Sequence, residues 1–237
     1  MSLMSMFFPM VCAFALTVLS KGTSSVCGAA GVSVRLPDVR SAENQSWELP
    51  PEDFYFQPWF MTHTSYAANL GLINYQYDPY PMEGYGTDFN DLFSFQTPNN
   101  SKIYPAYGID TPTSPSKDVV EYRGTGLLAA DNSTFIWLAW GCDTTGTPYY
   151  LNYATASTHT TAGMDIMSTK EEGMDQATYD ALLDGLIALG DDYIIAVAKN
   201  LTKTVQDGGR RGLPRVTTCD EQCRTNEQLR PIIGGRS

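Results

Sequence analysis

The chain has 237 residues, of which 43% are hydrophobic, and a formal net charge of -11 at pH 7. Its isoelectric point is near 4.5. A chain of this length buries one sizeable core, so we expect one globular domain. The acidic balance excludes nucleic acid and other polyanions as partners, because those require a basic surface that neutralises phosphates.

The first twenty residues, MSLMSMFFPMVCAFALTVLS, contain no charged side chain and hold an apolar run that is short for a membrane-spanning helix. We interpret residues 1–20 as a secretory signal peptide and expect a secreted or secretory-pathway protein with no membrane span in the mature chain. Four Asn-x-Ser/Thr glycosylation sites lie in predicted turns or at element ends: Asn44, Asn99, Asn132 and Asn200.

Removing the signal peptide leaves four cysteines in a compartment that permits disulfides: Cys27, Cys142, Cys219 and Cys223. Three pairings are possible. Because the polar C-terminal tail would fray if it were untied, we expect Cys219 or Cys223 to bond Cys142 or Cys27. The cysteines and the two histidines lack the paired spacing of a zinc site, so no metal is predicted.

Residues 21–57 have no sustained hydrophobic period and are interpreted as a leader segment over one end of the fold. From residue 58 onward, runs rich in aromatic and β-branched residues are closed by Gly, Pro, Asn or Asp, which indicates antiparallel strands and their turns. The first runs are WFMTHTS, LINYQYDPY, DLFSFQT and KIYPAYGID, and Pro105 limits the last to an edge, a bulge or a short strand. The later runs are VVEYRGTGLLAAD, STFIWLAWG, TPYYLNYATAST and AGMDIMS.

The segment MDQATYDALLDGLIALG has apolar residues at helical spacing, with Asp175 as its cap and Gly190 at its end. Residues 135–140 are apolar on both strand faces, so we expect this helix to cover their outer side. The pattern predicts an all-β fold: an eight-stranded antiparallel up-and-down barrel with one C-terminal helix packed outside, over residues 58–200. Residues 201–237 are then a disulfide-tethered tail.

The strand order and the pair Trp59-Phe60 that opens the first strand resemble the lipocalin or wider calycin group. The chain looks most like the lipocalin-like small proteins of fungi, through WFMTHTS, YGIDTP, YRGTGLL, LAWG and YYLNYATASTHTTAGMDIMS. The resemblance implies a barrel around a small hydrophobic metabolite. No arginine stands where the family's late arginine packs on the first-strand tryptophan, and Lys170 is the candidate substitute.

Three residues are candidate catalysts: His63, Arg123 and His159. If Trp59 fills the barrel floor as in the resembling family, strand alternation points His63 inward, and His159 could be its neighbour across the barrel closure. The alternatives are a hydrogen-bonded core histidine at position 63, a solvated turn residue at 159, and a surface position for Arg123.

Aromatic side chains are the predicted ligand contacts: Tyr75, Tyr77, Tyr107, Trp137 and Tyr153. Asp110 and Asp165 are interpreted as turn-forming and capping residues rather than general bases. No cofactor is indicated, because Gly124-Thr125-Gly126 leads into a strand and lacks the helix of a dinucleotide site.

Calycin-like fungal proteins include cofactor-independent cyclases, so the resemblance implies a cyclase or isomerase of secondary metabolism, of Diels–Alder or dehydrative type. The alternative is a carrier that releases a small hydrophobic ligand unchanged. A third interpretation is a barrel filled by its own side chains, and a cavity of sufficient volume would exclude it.

Overall fold

In a computed structural model, the structure describes Cys27 and residues 31–38, 47–158 and 160–233. The predicted signal peptide, Asn44 and His159 lie outside the described residues. Ten strands form one sheet in the described chain: β1 (Trp59–Thr64), β2 (Ile73–Tyr77), β3 (Tyr80–Pro81), β4 (Phe89–Gln96), β5 (Tyr104–Pro112), β6 (Val119–Gly124), β7 (Asn132–Cys142), β8 (Pro148–Ala154), β9 (Gly163–Ser168) and β10 (Thr202–Lys203).

Eight of these strands form a closed barrel. Apart from the two-residue strands β3 and β10, each strand pairs antiparallel with the next one along the chain, and β9 pairs back with β1. Closure of the sheet in this way removes the exposed edges and leaves an interior that side chains or a ligand can fill. The predicted all-β, eight-stranded antiparallel up-and-down barrel is confirmed.

The predicted outer helix is α1 (Gln176–Ala188). The Asp175 carboxylate accepts a hydrogen bond from the Thr178 backbone N–H at 2.8 Å, which caps the start of the helix. Gly190 follows its end with a φ of +73°, a conformation that glycine adopts without strain. Three shorter helices follow: α2 (Asp192–Ala198), α3 (Glu221–Arg224) and α4 (Arg230–Ile233).

Helix α1 explains why β7 is apolar on both faces. Leu182 and Leu186 are fully buried and share a core cluster with Leu138 of β7. Each buried leucine contributes about 1.5–3 kcal/mol to folding. The neighbouring Trp137 points the other way, into a second cluster inside the barrel. The strand is therefore covered by the helix outside and by aromatic rings inside.

A β-bulge in β1 reverses the alternation that the sequence suggested. Met61 pairs with Met167 of β9, but His63 pairs with the very next residue, Ile166, so Thr62 is an extra residue on β1. Beyond a bulge, every side chain is moved to the opposite face of the strand. The prediction that His63 points into the barrel is therefore wrong: it shares the outer face with Ile166, which belongs to the cluster under α1.

The C-terminal tail occupies the edge of β5 that β6 leaves free. Strand β6 pairs only with the second half of β5. Along the first half, Asn226 accepts a hydrogen bond from the Tyr107 backbone N–H and donates one to the Tyr107 carbonyl, both at 2.9 Å. Pro105 lies on the same side, where its carbonyl accepts from Gln228 at 2.8 Å. Because that side needs no strand-to-strand N–H, proline is tolerated within a nine-residue strand.

Replacing Asn226 by Ala is expected to lower the free energy of unfolding by about 3 kcal/mol. The change leaves the Tyr107 backbone groups without their partner and puts a Cβ-bearing residue without a polar side chain at a φ of 58°. Asn226→Gly is the matched control, since glycine loses the same bonds but accepts the backbone. Urea unfolding should rank the Gly variant between wild type and Ala; unchanged stability of both variants would contradict the anchoring role.

The disulfide prediction is wrong in its pairing. Cys27 bonds Cys142, and Cys219 bonds Cys223 only four residues away. Cys223 belongs to the short helix α3 and Cys219 lies just before it, so the two are brought together locally. Non-covalent contacts, rather than a disulfide to the barrel, therefore hold the tail.

Arg215 of the tail contacts the first strand. Lys170 was the candidate for this role. Its Nη2 donates to the Trp59 carbonyl at 2.7 Å, its Nε to Asp78 at 2.6 Å, and its guanidinium lies over the Phe60 ring. Lys170 is exposed and contacts the Thr145 hydroxyl instead. The Lys170 interpretation is wrong.

Candidate functional site

The barrel encloses a cavity of about 760 Å³, which is large enough for a drug-sized molecule. Its wall is mostly apolar and includes ten aromatic side chains. Trp137 and Tyr150 stack with ring centroids 4.2 Å apart, and Tyr55 also stacks against Trp137 at 5.1 Å. The interpretation of a barrel filled by its own side chains is thereby excluded.

Both ends of the cavity are formed by segments outside the barrel strands. At the end where β1 begins, Phe54 and Tyr55 of the leader are buried beside Trp59. At the other end, Leu229 of the tail packs in one cluster with Leu128, which follows β6, and both line the cavity. The leader and the tail therefore contribute side chains to opposite ends of the same cavity.

Asp165 and Asn152 form a polar site on this apolar wall. They are directly paired across β8 and β9, and both line the cavity. The Oδ1 atom of each is buried without a hydrogen-bond partner. An unsatisfied buried acceptor costs free energy unless another group binds it, so these two atoms are candidate ligand contacts.

Burial controls the charge of Asp165. The residue is only 6% exposed, and burial raises the pKa of its carboxyl group from 3.8 to about 7. Hydrogen bonds from the Thr64 hydroxyl and the Asn69 side chain lower the pKa of Asp165 in part. Neither of these bonds is made to Oδ1. At neutral pH the group is thus divided between its acid and base forms, as a proton-transfer residue requires.

A second acidic site lies nearer the end of the cavity where β1 begins. Burial raises the pKa of both Asp91 and Asp110, and the two carboxyl groups interact, so they do not both ionise readily. The hydroxyls of Tyr55 and Tyr77 are 3.0 Å apart and each is 3.5 Å from Asp110 Oδ2. Asp91 lines the cavity, so this network presents a carboxyl and two phenols to a ligand.

Three of the five predicted aromatic contacts line the cavity, namely Tyr75, Tyr77 and Trp137. The other two face outward. Tyr107 donates to Asn90 Oδ1 at 2.7 Å and packs beneath the tail, and Tyr153 packs in the outer cluster with the helices. The expectation that Tyr107 and Tyr153 face the ligand is therefore wrong.

The candidate catalysts do not meet in the cavity. His63 stacks on Tyr179 of α1 with ring centroids 4.6 Å apart, and burial beside Lys203 lowers its pKa to about 4, so it is neutral at pH 7. Arg123 is exposed on the outer face of β6, while its neighbour Tyr122 lines the cavity. His159 lies outside the described residues.

The residues that sequence reasoning missed are Asp91, Asp110, Asp165 and Asn152. The interpretation of Asp110 and Asp165 as turn and cap residues is wrong, since both lie within strands and are buried. A signal was available at Asp165: it stands in the run MDIM, among apolar residues on both faces. An aspartate is almost never fully buried unless another group pairs with it, so its place in such a run indicates a special environment.

No group of three or more His, Cys, Asp or Glu side chains that could hold a metal ion occurs among the described residues. Within the same part of the chain, no helix has the length and apolar character needed to cross a bilayer.

Comparison with known proteins shows a similarity in sequence to a fungal protein. The chain is 30% identical over 202 residues to "Botcinic acid biosynthesis cluster B protein 12" of Botryotinia fuckeliana (strain B05.10), covering 81% of this chain and 90% of that protein. No family model matches the chain. Among solved structures, apocrustacyanin C1 aligns with a TM-score of 0.47 and apocrustacyanin C2 with 0.48, each at 12% identity. These alignments cover 74% and 75% of this chain and 91% and 92% of those chains.

Proposed function

The chain belongs to the family of the Botcinic acid biosynthesis cluster B protein 12, and we propose that it is a cofactor-independent enzyme of secondary metabolism. Its reaction is a proton-transfer cyclisation, isomerisation or dehydration of a small, largely apolar metabolite held in the barrel. The observation that carries this proposal is Asp165, a buried carboxyl with a pKa of about 7 and an unpartnered oxygen on the cavity wall.

Asp165 has the properties of a general acid and base. In a dehydration, the protonated carboxyl gives its proton to a leaving hydroxyl and the C–O bond breaks. The carboxylate then takes a proton from the neighbouring carbon, so that water is the net product and Asp165 returns to its starting form. In an isomerisation, the same group removes a proton from one carbon and returns it at another. Such a positioned group contributes about 10²–10⁴-fold to a rate.

The other cavity groups support this chemistry by orientation. The Asn152 amide can hold a substrate oxygen beside Asp165, because the two residues are paired across neighbouring strands. The stacked rings of Trp137 and Tyr150 offer flat apolar faces that restrict the conformations of a flexible chain. Fixed positions of this kind lower a barrier without a covalent intermediate.

A carrier that releases its ligand unchanged is the second candidate function. It is favoured by the apolar, aromatic character of most of the cavity wall, which is sufficient for binding alone. A carrier has no need of a carboxyl that titrates near pH 7, and this difference separates the two functions experimentally.

We also propose that the protein is secreted and glycosylated. Both disulfides support an oxidising compartment. Three of the four predicted glycosylation sites, Asn99, Asn132 and Asn200, are exposed to solvent and accessible to a glycan.

The proposal is tested by incubating the purified protein with metabolites extracted from a host strain that lacks its gene. Wild type is expected to convert one accumulated compound into a new product, followed by mass spectrometry. Asp165→Asn should slow that conversion by about 100-fold or more, because the amide can neither give nor take the proton. Asp184→Asn makes the same chemical change on the exposed face of α1 and should keep full turnover.

His63→Ala should also keep turnover, because the imidazole lies outside the barrel. If wild type binds a compound and releases it unchanged, the protein is a carrier. If Asp165→Asn turns over as fast as wild type, Asp165 is not the acid and base.

A further inference from the structure

We infer that the cavity selects an uncharged, oxygen-bearing molecule and rejects the corresponding carboxylate. This inference rests on the proposed function only in that it concerns the same cavity, and it names the charge class of the substrate.

The ionisable groups around the cavity are acidic. Three aspartates line it, namely Asp91, Asp131 and Asp165, and no lysine or arginine does so among the described residues. A carboxylate ligand that leaves water for this interior loses its hydration and meets like charge. A buried anion is tolerated when a cation pairs with it, and the described wall supplies none.

The arginines that could have paired with an anionic ligand are held on the outside of the barrel. Arg35 forms an ion pair with Asp118 at 2.9 Å, and its Nε donates to the backbone of β7. Arg210 donates to the Ser94 carbonyl and hydroxyl at 3.1 and 2.9 Å. Arg215 lies over the Phe60 ring and donates to the backbone carbonyls of Trp59 in β1 and Tyr77 in β2. Arg35, Arg210 and Arg215 are therefore held in contacts that are not part of the described cavity wall.

The polar atoms that do face the cavity suit neutral oxygen groups. The unpartnered Oδ1 of Asn152 can accept a hydrogen bond from a substrate hydroxyl. The Asn152 amide N–H₂ and the protonated Asp165 can donate to a ketone, ester or lactone carbonyl. The Tyr77 hydroxyl offers a further polar contact beside Asp91. A molecule with two neutral oxygen functions on an apolar skeleton satisfies both sites without burying a charge.

This charge selection has a consequence for the order of reactions. A metabolite that bears a free carboxylic acid would enter the cavity only after esterification or lactonisation. The reaction that supplies this protein is then one that forms or preserves an ester, lactone or ketone, and any step that releases a free acid follows it.

The inference is tested with two probes of similar size and shape, 2-acetylnaphthalene and 2-naphthoate, which differ in charge at pH 8. Equilibrium dialysis against the full-length protein should show that the ketone binds at least about tenfold more tightly than the carboxylate. Asp165→Asn should narrow this ratio, because it removes one negative charge from the wall, and Asp184→Asn should leave the ratio unchanged.

Equal affinity for the two probes, preference for 2-naphthoate, or no saturable binding of the ketone would each overturn the inference. So would a ratio that is the same in wild type and Asp165→Asn. The assay measures binding without turnover, so it remains informative whether the protein is an enzyme or a carrier. If wild type converts no compound in the metabolite assay but still prefers the ketone to the carboxylate, the proposed enzyme activity alone is rejected.

Discussion

Asp165→Asn is expected to make the protein more stable than wild type at pH 8, with the advantage shrinking steadily towards pH 5. Burial raises the pKa of Asp165 to about 7 in the folded state, whereas the unfolded chain titrates near 3.8. Between these values the native protein holds a proton that the unfolded chain has lost. The stability that this proton contributes is therefore fully present below the unfolded pKa, and it is lost as the pH rises towards 7.

The size of this effect follows from the difference between the two pKa values. It corresponds to at most about 4 kcal/mol above pH 7, at about 1.4 kcal/mol for each pH unit crossed. Urea unfolding of both proteins should be measured at pH 5, 6, 7 and 8. The difference between their free energies of unfolding should grow with pH and become constant above pH 7.

Asp184→Asn is the matched control, because that side chain is exposed and its replacement should leave the pH dependence of stability as in wild type. The Asp91–Asp110 pair has raised pKa values too, so both proteins should lose some stability as the pH rises. If Asp165→Asn is less stable than wild type at pH 8, then Asp165 is held by bonds that outweigh its burial. A carboxyl that costs stability at its own position is typical of functional sites.

The strands and the outer helix could be predicted because their determinants are local. Strand runs are closed by turn residues a few positions away, and α1 begins at Asp175 and ends before Gly190 within one continuous segment. The apolar double face of β7 also predicted a covering helix, and Leu182 and Leu186 of α1 do pack in one cluster with Leu138. Local periodicity therefore determined most of the architecture.

The orientation of His63 could not be predicted in the same way. It depends on Thr62, which is an extra residue only relative to β9, a strand about a hundred positions further along the chain. No feature of WFMTHTS alone indicates the bulge, because both faces of that run contain residues that tolerate burial. Alternation within a strand is reliable only up to the first irregularity in its pairing.

The acidic site was missed for a related reason. Asp110 lies between a glycine and a proline in the sequence GIDTP, which is typical of turns, yet β5 continues through it to Pro112. Its burial arises only when the barrel closes and Tyr55 of the leader covers it. Disulfide pairing likewise depends on which segments fold beside each other, and the cysteine count alone left three possibilities.

Arg215→Met is expected to lower the free energy of unfolding by about 3–5 kcal/mol at pH 8, because it leaves a buried carboxylate without its partner. Asp78 is 7% exposed and forms a 2.6 Å ion pair with Arg215. Burial raises the pKa of Asp78 even with the arginine present, and its removal should raise it further. The folded pKa then lies well above the unfolded value, so the loss of stability should grow as the pH rises.

Arg211→Met is the matched control, since Arg211 lies in the same tail but is 65% exposed and pairs with Glu171 at the surface. An exposed pair contributes about 0–1 kcal/mol, so this variant should unfold close to wild type. Adding Asp78→Leu to Arg215→Met should recover part of the loss, because it removes the unpaired carboxylate. If the double variant is no more stable than Arg215→Met, the arginine acts mainly through the Trp59 carbonyl and the Phe60 ring, and the tail is held to β1 by those contacts.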